Sequence, residues 1–331
     1  MPRQQPEPRV VRVMREYQRR LAAREARQMA EMARRWIGVQ DRLQTNIDKL
    51  AKEVAERYAT GKPVTRAMLW EMERYQDLLL QTRREIARYV DGYVVRAVRA
   101  EQLRLIDLAA DQFIEEAQMQ VGLTFRRLPV EAVRNMVGVT ANGSPVRDVL
   151  MKAWPTAVDQ ITQRLIDGTA LGWNPNKTAR VMREGLDAGL NDMIRVARTE
   201  QIRVYRHTDY VAAVNTGLVH GMKRLAARQE RTCLACLLDD GHVYPIGMEP
   251  GDHVLGRCRF VKVWRGRPED EWLSGREWFL DLDEDAQRRI MGAGRFEEWK
   301  NGAIGLDQMV RQVHDPTWGH SIGVRPLGAG R

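Results

Sequence analysis

Residues 36–54, WIGVQDRLQTNIDKLAKEV, set Trp36, Leu43, Ile47, Leu50 and Val54 at steps of three, four or seven residues. That spacing gathers them on one side of an α-helix and leaves the charged residues on the others. The apolar stripe is narrow, which suits a helical hairpin or a coiled-coil-like seam better than burial on all sides. The pattern extends from about Val10 to Tyr58. Thr60-Gly61-Lys62-Pro63-Val64-Thr65 then breaks it, because Gly and Pro interrupt helices and Thr65 can cap the next one. A second long helical run follows to about Met119, carrying Met68, Leu69, Met72, Leu79, Ile86, Val90, Tyr93, Ala97, Leu108 and Phe113. Residues 1–125 are therefore expected to form an extended helical arm.

A compact helical region is expected over 126–218, punctuated by the turn signals Ala141-Asn142-Gly143-Ser144-Pro145 and Gly172-Trp173-Asn174-Pro175. Its last helix begins near Leu190 and ends at Gly217. The texture then changes. Val219 to Leu225, His242 to Ile246 and Arg259 to Trp264 are short β-like runs separated by Gly, Pro and Asp, so 219–266 reads as a small β-containing module. Residues 267–331 return to short helices, one near Glu284 to Met291 and another near Leu306 to Val313, before a Gly-rich tail. The expected class is mainly α with a small β-containing module (α+β) and a long N-terminal helical arm.

The 53 Lys+Arg exceed the 44 Asp+Glu by nine over 331 residues. That balance fits a polyanionic partner without identifying one. Tyr93-Val94-Val95 stops at Arg96, and Leu105-Ile106 is closed in by Arg104 and Asp107. No such run approaches the roughly 20 apolar residues of a membrane span. Met1-Pro2-Arg3-Gln4-Gln5-Pro6 has charge but no apolar stretch after it, unlike a secretory signal. A cytoplasmic site of maturation is the expectation.

The three cysteines all lie between Cys233 and Cys258, so they form a local cluster and not a closed set of disulfides. Cys233-x2-Cys236, His253 and Cys258 are residues whose thiolates and imidazole can close a tetrahedron around zinc. His242 is an alternative to His253. Two other readings stay open, a Cys-x2-Cys redox pair and small cysteines that simply pack. A catalytic zinc is disfavoured, because all four candidates would serve as ligands and leave no position for water or substrate.

These residues also carry a family likeness. Ala197-Arg198-Thr199-Glu200, then Arg231-Thr232-Cys233-Leu234-Ala235-Cys236-Leu237-Leu238-Asp239-Asp240-Gly241, then His253 to Cys258, resemble the phage Mu F-like head morphogenesis family. Trp278-Phe279-Leu280, Gln287 to Gly292 and Trp299 to Leu306 are similar to its usual ending, so the likeness covers roughly 168–313. Two departures stand out. Val254 and Gly256 replace the family's proline and first cysteine, leaving a Cys3His set, and Asp239 stands where the family has leucine.

The resemblance implies a minor virion protein that associates with the portal, enters the procapsid with other head and scaffold proteins, and affects head assembly or DNA packaging and delivery. It places the chain in the capsid interior near the portal after assembly in the host cytoplasm, with no membrane partner. It implies no catalytic activity for the head protein itself. The runner-up is a nuclease-like or toxin-related enzyme in the C-terminal domain, drawing on Glu200, His242, Asp240 and His253; no motif sets a nucleophile, base and oxyanion donors together. A cellular DNA-binding regulator ranks last, for want of a recognition-helix or finger pattern.

Arg198 and Glu200 sit two apart on a helix and do not face each other. Both can bind loop backbone or solvent, or one of them can anchor the loop from Arg231 to Gly241. Near the N-terminus Arg9, Arg12, Arg15, Arg19, Arg20, Arg24, Arg27, Arg34 and Arg35 meet only Glu16, Glu25 and Glu31. Arg20, Arg24, Arg27 and Arg34 fall largely along one side, a stripe that can neutralise double-stranded DNA phosphates or meet the acidic face of a protein partner. With only Tyr17 and Trp36 nearby, single-strand recognition is disfavoured. Trp264, Trp272, Trp278, Trp299 and Trp318 are expected to mark core.

Overall fold

The computed structural model describes residues 7–61, 64–228 and 232–327. Four sequence readings lie wholly or partly outside the described residues: the opening hexapeptide, Lys62-Pro63 within the first break, Arg231 of the cysteine loop, and the Gly-rich tail from 328 onward. The fold is mainly α with a small β module, as expected. Its chain order is α1 (Arg9–Ala59), α2 (Arg66–Trp70), α3 (Glu73–Tyr89), a π-helical turn over Val90–Val94, α4 (Val95–Val121), α5 (Val146–Leu150), α6 (Ala153–Ala170), α7 (Pro175–Gly185), α8 (Asp187–Asn215), β1 (Val219–Leu225), α9 (Leu234–Leu238), β2 (Val243–Pro245), β3 (Arg259–Trp264), α10 (Gly275–Leu280), α11 (Glu284–Met291), α12 (Ala293–Lys300), β4 (Val310–Asp315) and β5 (Gly319–Val324).

The residues divide in space into two units, each drawn from several stretches, where the sequence suggested four consecutive segments. One comprises 1–23, 102–143 and 199–331; the other comprises 24–101 and 144–198. The boundaries fall inside α1, α4 and α8. A helix reads continuously in sequence whichever core each of its turns joins, so periodicity alone does not reveal such a division.

In the unit of 24–101 and 144–198, Trp36, Leu43, Ile47, Leu50 and Val54 are all essentially fully buried. Thr65 caps α2 by accepting the Met68 N–H at 3.2 Å. Asn174 caps α7 by accepting the Lys177 N–H at 2.9 Å, with Pro175 at the first helical position, where its missing N–H costs nothing. A Cβ at Gly189 would stand 2.9 Å from the Ala153 carbonyl, so the start of α8 approaches α6 as closely as glycine permits.

The other unit holds a three-stranded antiparallel sheet of order β2-β1-β3, with Met222 opposite Tyr244 and Lys262. All of β3 is buried. The N-terminal turns of α1 pack on the sheet through Val10, Val11 and Met14, against Leu225 and Val261. Trp264 is core, while Trp272, Trp278 and Trp299 pack partly buried against apolar clusters.

The C-terminal end needs a correction. Leu306 to Val313 is not a helix: a single 3₁₀ turn at Leu306–Gln308 leads into β4, which pairs with β5 in a hairpin. Val310, Val313 and Ile322 are β-branched, and Gly319 at φ +78° supplies the left-handed turn residue.

Candidate metal centre

The last strand of the sheet carries two buried cations, and their partners show how this unit tolerates charge. Lys262 lies between Glu116 and Asp209; its amide donates to Glu116 Oε1 at 2.7 Å and its ammonium lies 2.9 Å from Oε2, with a second ion pair to Asp209. Burial raises both carboxyls above their ordinary values, Glu116 to about 7, while the ammonium opposes the shift. Arg259, also fully buried, lies over the Tyr205 ring at 4.6 Å.

Next to β3 the cysteines converge. Cys233 precedes the first turn of α9, Cys236 lies one turn later inside it, and Cys258 immediately precedes β3. Cys236 and Cys258 are buried in one apolar cluster with Ala226, Ala235 and Ile322. His253 arrives on the loop between β2 and β3, its Nε2 3.2 Å from Cys236 Sγ. Its Nδ1 lies 2.8 Å from the Val254 carbonyl, a contact that holds Nδ1–H as donor and turns Nε2 toward sulfur.

The donor atoms of Cys233, Cys236 and His253 lie within 4.8 Å of one another, as do those of Cys236, Asp252 and Cys258. Cys236 belongs to both groups. The cluster of Cys233, Cys236, His253 and Cys258 can thus hold a metal. His242 belongs to neither group among the described residues; its ring packs edge-on against Tyr244 at 4.7 Å.

The protonation pattern follows from these contacts. A hydrogen bond from Cys236 and the neighbouring His253 pull the Cys233 thiol down to about 4, against burial. Cys233 in turn pushes His253 up to about 9. Cys236, donating toward Cys233 and Cys258, is pushed well up, and its hydrogen bond lowers Cys258. The three sulfurs and the imidazole thus share one set of hydrogen bonds, in which Cys236 holds its proton most firmly and Cys233 and Cys258 are drawn toward the thiolate. Cys233, Cys236, His253 and Cys258 would ligate a dication as thiolates and neutral imidazole, so binding would be coupled to proton release.

Sequence reasoning missed the groups that set this cluster in place. Asp252 is fully buried. Burial opposes its charge, yet Arg206 at 2.5 Å and Arg224 at 3.4 Å hold it below the usual carboxylate range, and it accepts the His253 N–H at 3.0 Å. Arg224, with no exposed side-chain surface, also pairs with Asp239 at 2.7 Å and donates to the Gly251 carbonyl at 2.6 Å. It therefore ties the Cys233–Cys236 loop to the His253 loop. The signal was an arginine at an inward position of a short apolar strand. Asp239 is an ionic anchor; Tyr244 also donates to it, at 2.5 Å.

The remaining motif residues have separate roles. Arg198 pairs with Glu25, and the fully buried Glu200 pairs with Arg203 at 2.7 Å. Arg203 also donates to the Val139 carbonyl. Neither Arg198 nor Glu200 has a partner in the described part of the 231–241 loop; Thr199 instead accepts the Leu255 N–H at 3.4 Å, reaching the loop that carries His253. Thr232 is half-buried just before Cys233. Asp240 accepts the Ala226 amide at 3.0 Å and pairs with Arg228 at 2.7 Å, and Gly241 takes φ +89° where a Cβ would be strained. Of the four carboxylates and imidazoles considered for an enzyme, Glu200 and Asp240 are thus held in buried ion pairs.

Along α1, Arg20 pairs with Glu16, Arg24 with Glu101 at 2.6 Å, and Arg34 with Glu31. Arg27 is exposed and has no ion pair among the described residues. No helix among them is long and apolar enough to cross a membrane. No protein-family model, curated protein or solved structure matches this chain.

Proposed function

We propose that the protein is a non-enzymatic assembly component, a minor head protein of a tailed bacteriophage that acts beside the portal inside the capsid, with a structural zinc ion at Cys233, Cys236, His253 and Cys258. The observation that carries the structural reading is the direction of the donors. Two of the three sulfurs are buried in an apolar cluster, and His253 turns Nε2 toward one of these, Cys236, while a backbone carbonyl holds Nδ1. A closed set of this kind staples loops and leaves no coordination position for a substrate.

The phage assignment rests on the resemblance of the Ala197–Glu200, Arg231–Gly241 and His253–Cys258 stretches, together with the long helical elements that can serve as a docking scaffold. The net charge of +9 supports proximity to packaged DNA. The pairing of Arg20, Arg24 and Arg34 favours a positioning role for most of the stripe, with Arg27 as the residue available to a phosphate.

Two measurements test this. Elemental analysis of the purified protein should return one zinc per chain, lost in Cys236→Ser. In an infected culture the protein should co-purify with portal protein, and its absence from both procapsid and virion would remove the assignment.

A further inference from the structure

Beside the metal cluster, and within the same unit, lies a cavity of about 560 Å³. Its walls come from four places: one face of α8 through Thr199, Ile202, Arg203 and Arg206, the segment before α5, the loop around His253, and the tip of the β4–β5 hairpin. The walls are tied together. Asn142 donates to the Pro316 carbonyl at 2.9 Å, and a Cβ at Gly251 would stand 2.2 Å from the His320 carbonyl, so the loop lies directly on the hairpin backbone. Leu255 on the cavity wall holds φ +64°, an unfavourable conformation for a bulky residue that its surroundings must enforce.

The charges in this cavity are sorted by depth. Arg203 retains 18% of its side-chain surface while its carboxylate partner Glu200 retains none; Arg206 retains 12% while Asp252 retains none. Each guanidinium is thus more exposed than the carboxylate it pairs with, Glu200 lying behind Arg203 and Asp252 reaching the lining beside Arg206. His207 and His320 add imidazoles at the lining, and Glu249, the other carboxylate of the lining, is paired with His207 at 2.8 Å. Two guanidiniums one helical turn apart, pinned by their buried partners, form a preorganised receptor for a tetrahedral oxyanion.

We infer that this cavity is a binding site for a phosphate monoester, held by Arg203 and Arg206 with His207 and His320 at its rim. The volume accommodates a nucleotide but is far too small for a duplex, so the phosphate comes either from a free nucleotide or from the end of a strand. The inference is independent of the phage assignment and of whether the cluster holds zinc.

Calorimetric titration of the full chain tests it, with four probes: inorganic phosphate, a nucleoside monophosphate, and a short single-stranded oligonucleotide with and without a 5′-phosphate. The phosphorylated oligonucleotide should bind at least tenfold more tightly than its unphosphorylated twin. A tighter nucleoside monophosphate identifies a free nucleotide as the source, and a tighter phosphorylated oligonucleotide a strand end. His207→Gln combined with His320→Gln removes two lining imidazoles together with the His207–Glu249 contact and should weaken phosphate binding about tenfold, with the melting temperature of the unliganded chain reporting any structural cost separately. Equal binding of the two oligonucleotides, no binding of any probe at millimolar concentration, or binding untouched by the double substitution would overturn the inference.

Discussion

Gly256 lies directly over the Asp252 carboxylate: a Cβ at position 256 would stand 2.2 Å from Oδ2 and 2.3 Å from Cγ. The carboxylate cannot yield, because Arg206, Arg224 and the His253 amide hold it. Glycine here answers a buried acid that fills the side-chain space, and no side chain would fit at this position. Gly256→Ala should therefore cost about 2–3 kcal/mol in chemical denaturation, an overpacking penalty. Combined with Asp252→Ala it should cost much less than the two single changes summed, since each relieves the other's crowding. Strict additivity would show that the two residues do not share this space.

The buried Lys262–Glu116–Asp209 group predicts a pH dependence. Glu116 is raised from its ordinary 4.5 to about 7 by burial. Between those values the folded chain holds a proton that the unfolded chain has released. Stability from this group is then greatest at low pH and falls as pH rises through that window, by up to roughly 1.4 kcal/mol per pH unit for one proton. Asp209 shifts in the same direction. Glu116→Gln keeps an acceptor for the Lys262 amide but cannot titrate. The stability difference between it and the natural chain, followed by denaturant unfolding from pH 4.5 to 7, should slope accordingly; parallel curves would count against a shifted Glu116.

How much of this was legible beforehand depends on the range of the interaction. The long helices, the caps at Thr65 and Asn174, the three strands of the sheet and the Cys/His cluster rest on local periodicity, capping chemistry and spacing. The hairpin of β4 and β5 did not, because Leu306 to Val313 has apolar spacing compatible with a helix and its strand partner begins only at Gly319. The anchors Arg206, Arg224 and Asp252 were hidden for another reason: their burial is intelligible only once their opposite charges arrive from elements dozens of residues apart. Pairing also changed the reading of α1, whose arginines look unopposed until Glu101 is brought to Arg24.

The two overlapping donor groups give a spectroscopic prediction. Cys258 joins the cluster through Cys236, whereas Cys233 and His253 form the other group with it. Loaded with cobalt(II) in place of zinc, the natural protein should show tetrahedral visible bands with charge transfer from three thiolates. Cys258→Ser should keep the metal, bound at least tenfold more weakly, with charge-transfer intensity reduced by about a third. An unchanged spectrum would exclude Cys258 from the coordination sphere.

The arginines of α1 separate by partner, and so should their substitutions. Arg24 reaches both oxygens of Glu101, at 2.6 and 3.2 Å, and that carboxylate retains only 10% of its side-chain surface. Arg24→Ala should cost about 1–3 kcal/mol, the range for losing a charge-assisted hydrogen bond to a largely buried group. Arg27 is exposed, and Arg27→Ala should change stability by less than about 0.5 kcal/mol. If Arg27 contacts DNA phosphate, its removal lowers the slope of log affinity against log salt by about one and weakens binding to all sequences alike. Duplex titrations at several salt concentrations read this directly, and a slope identical to that of the natural chain would assign the exposed arginine to solvent or to a protein partner.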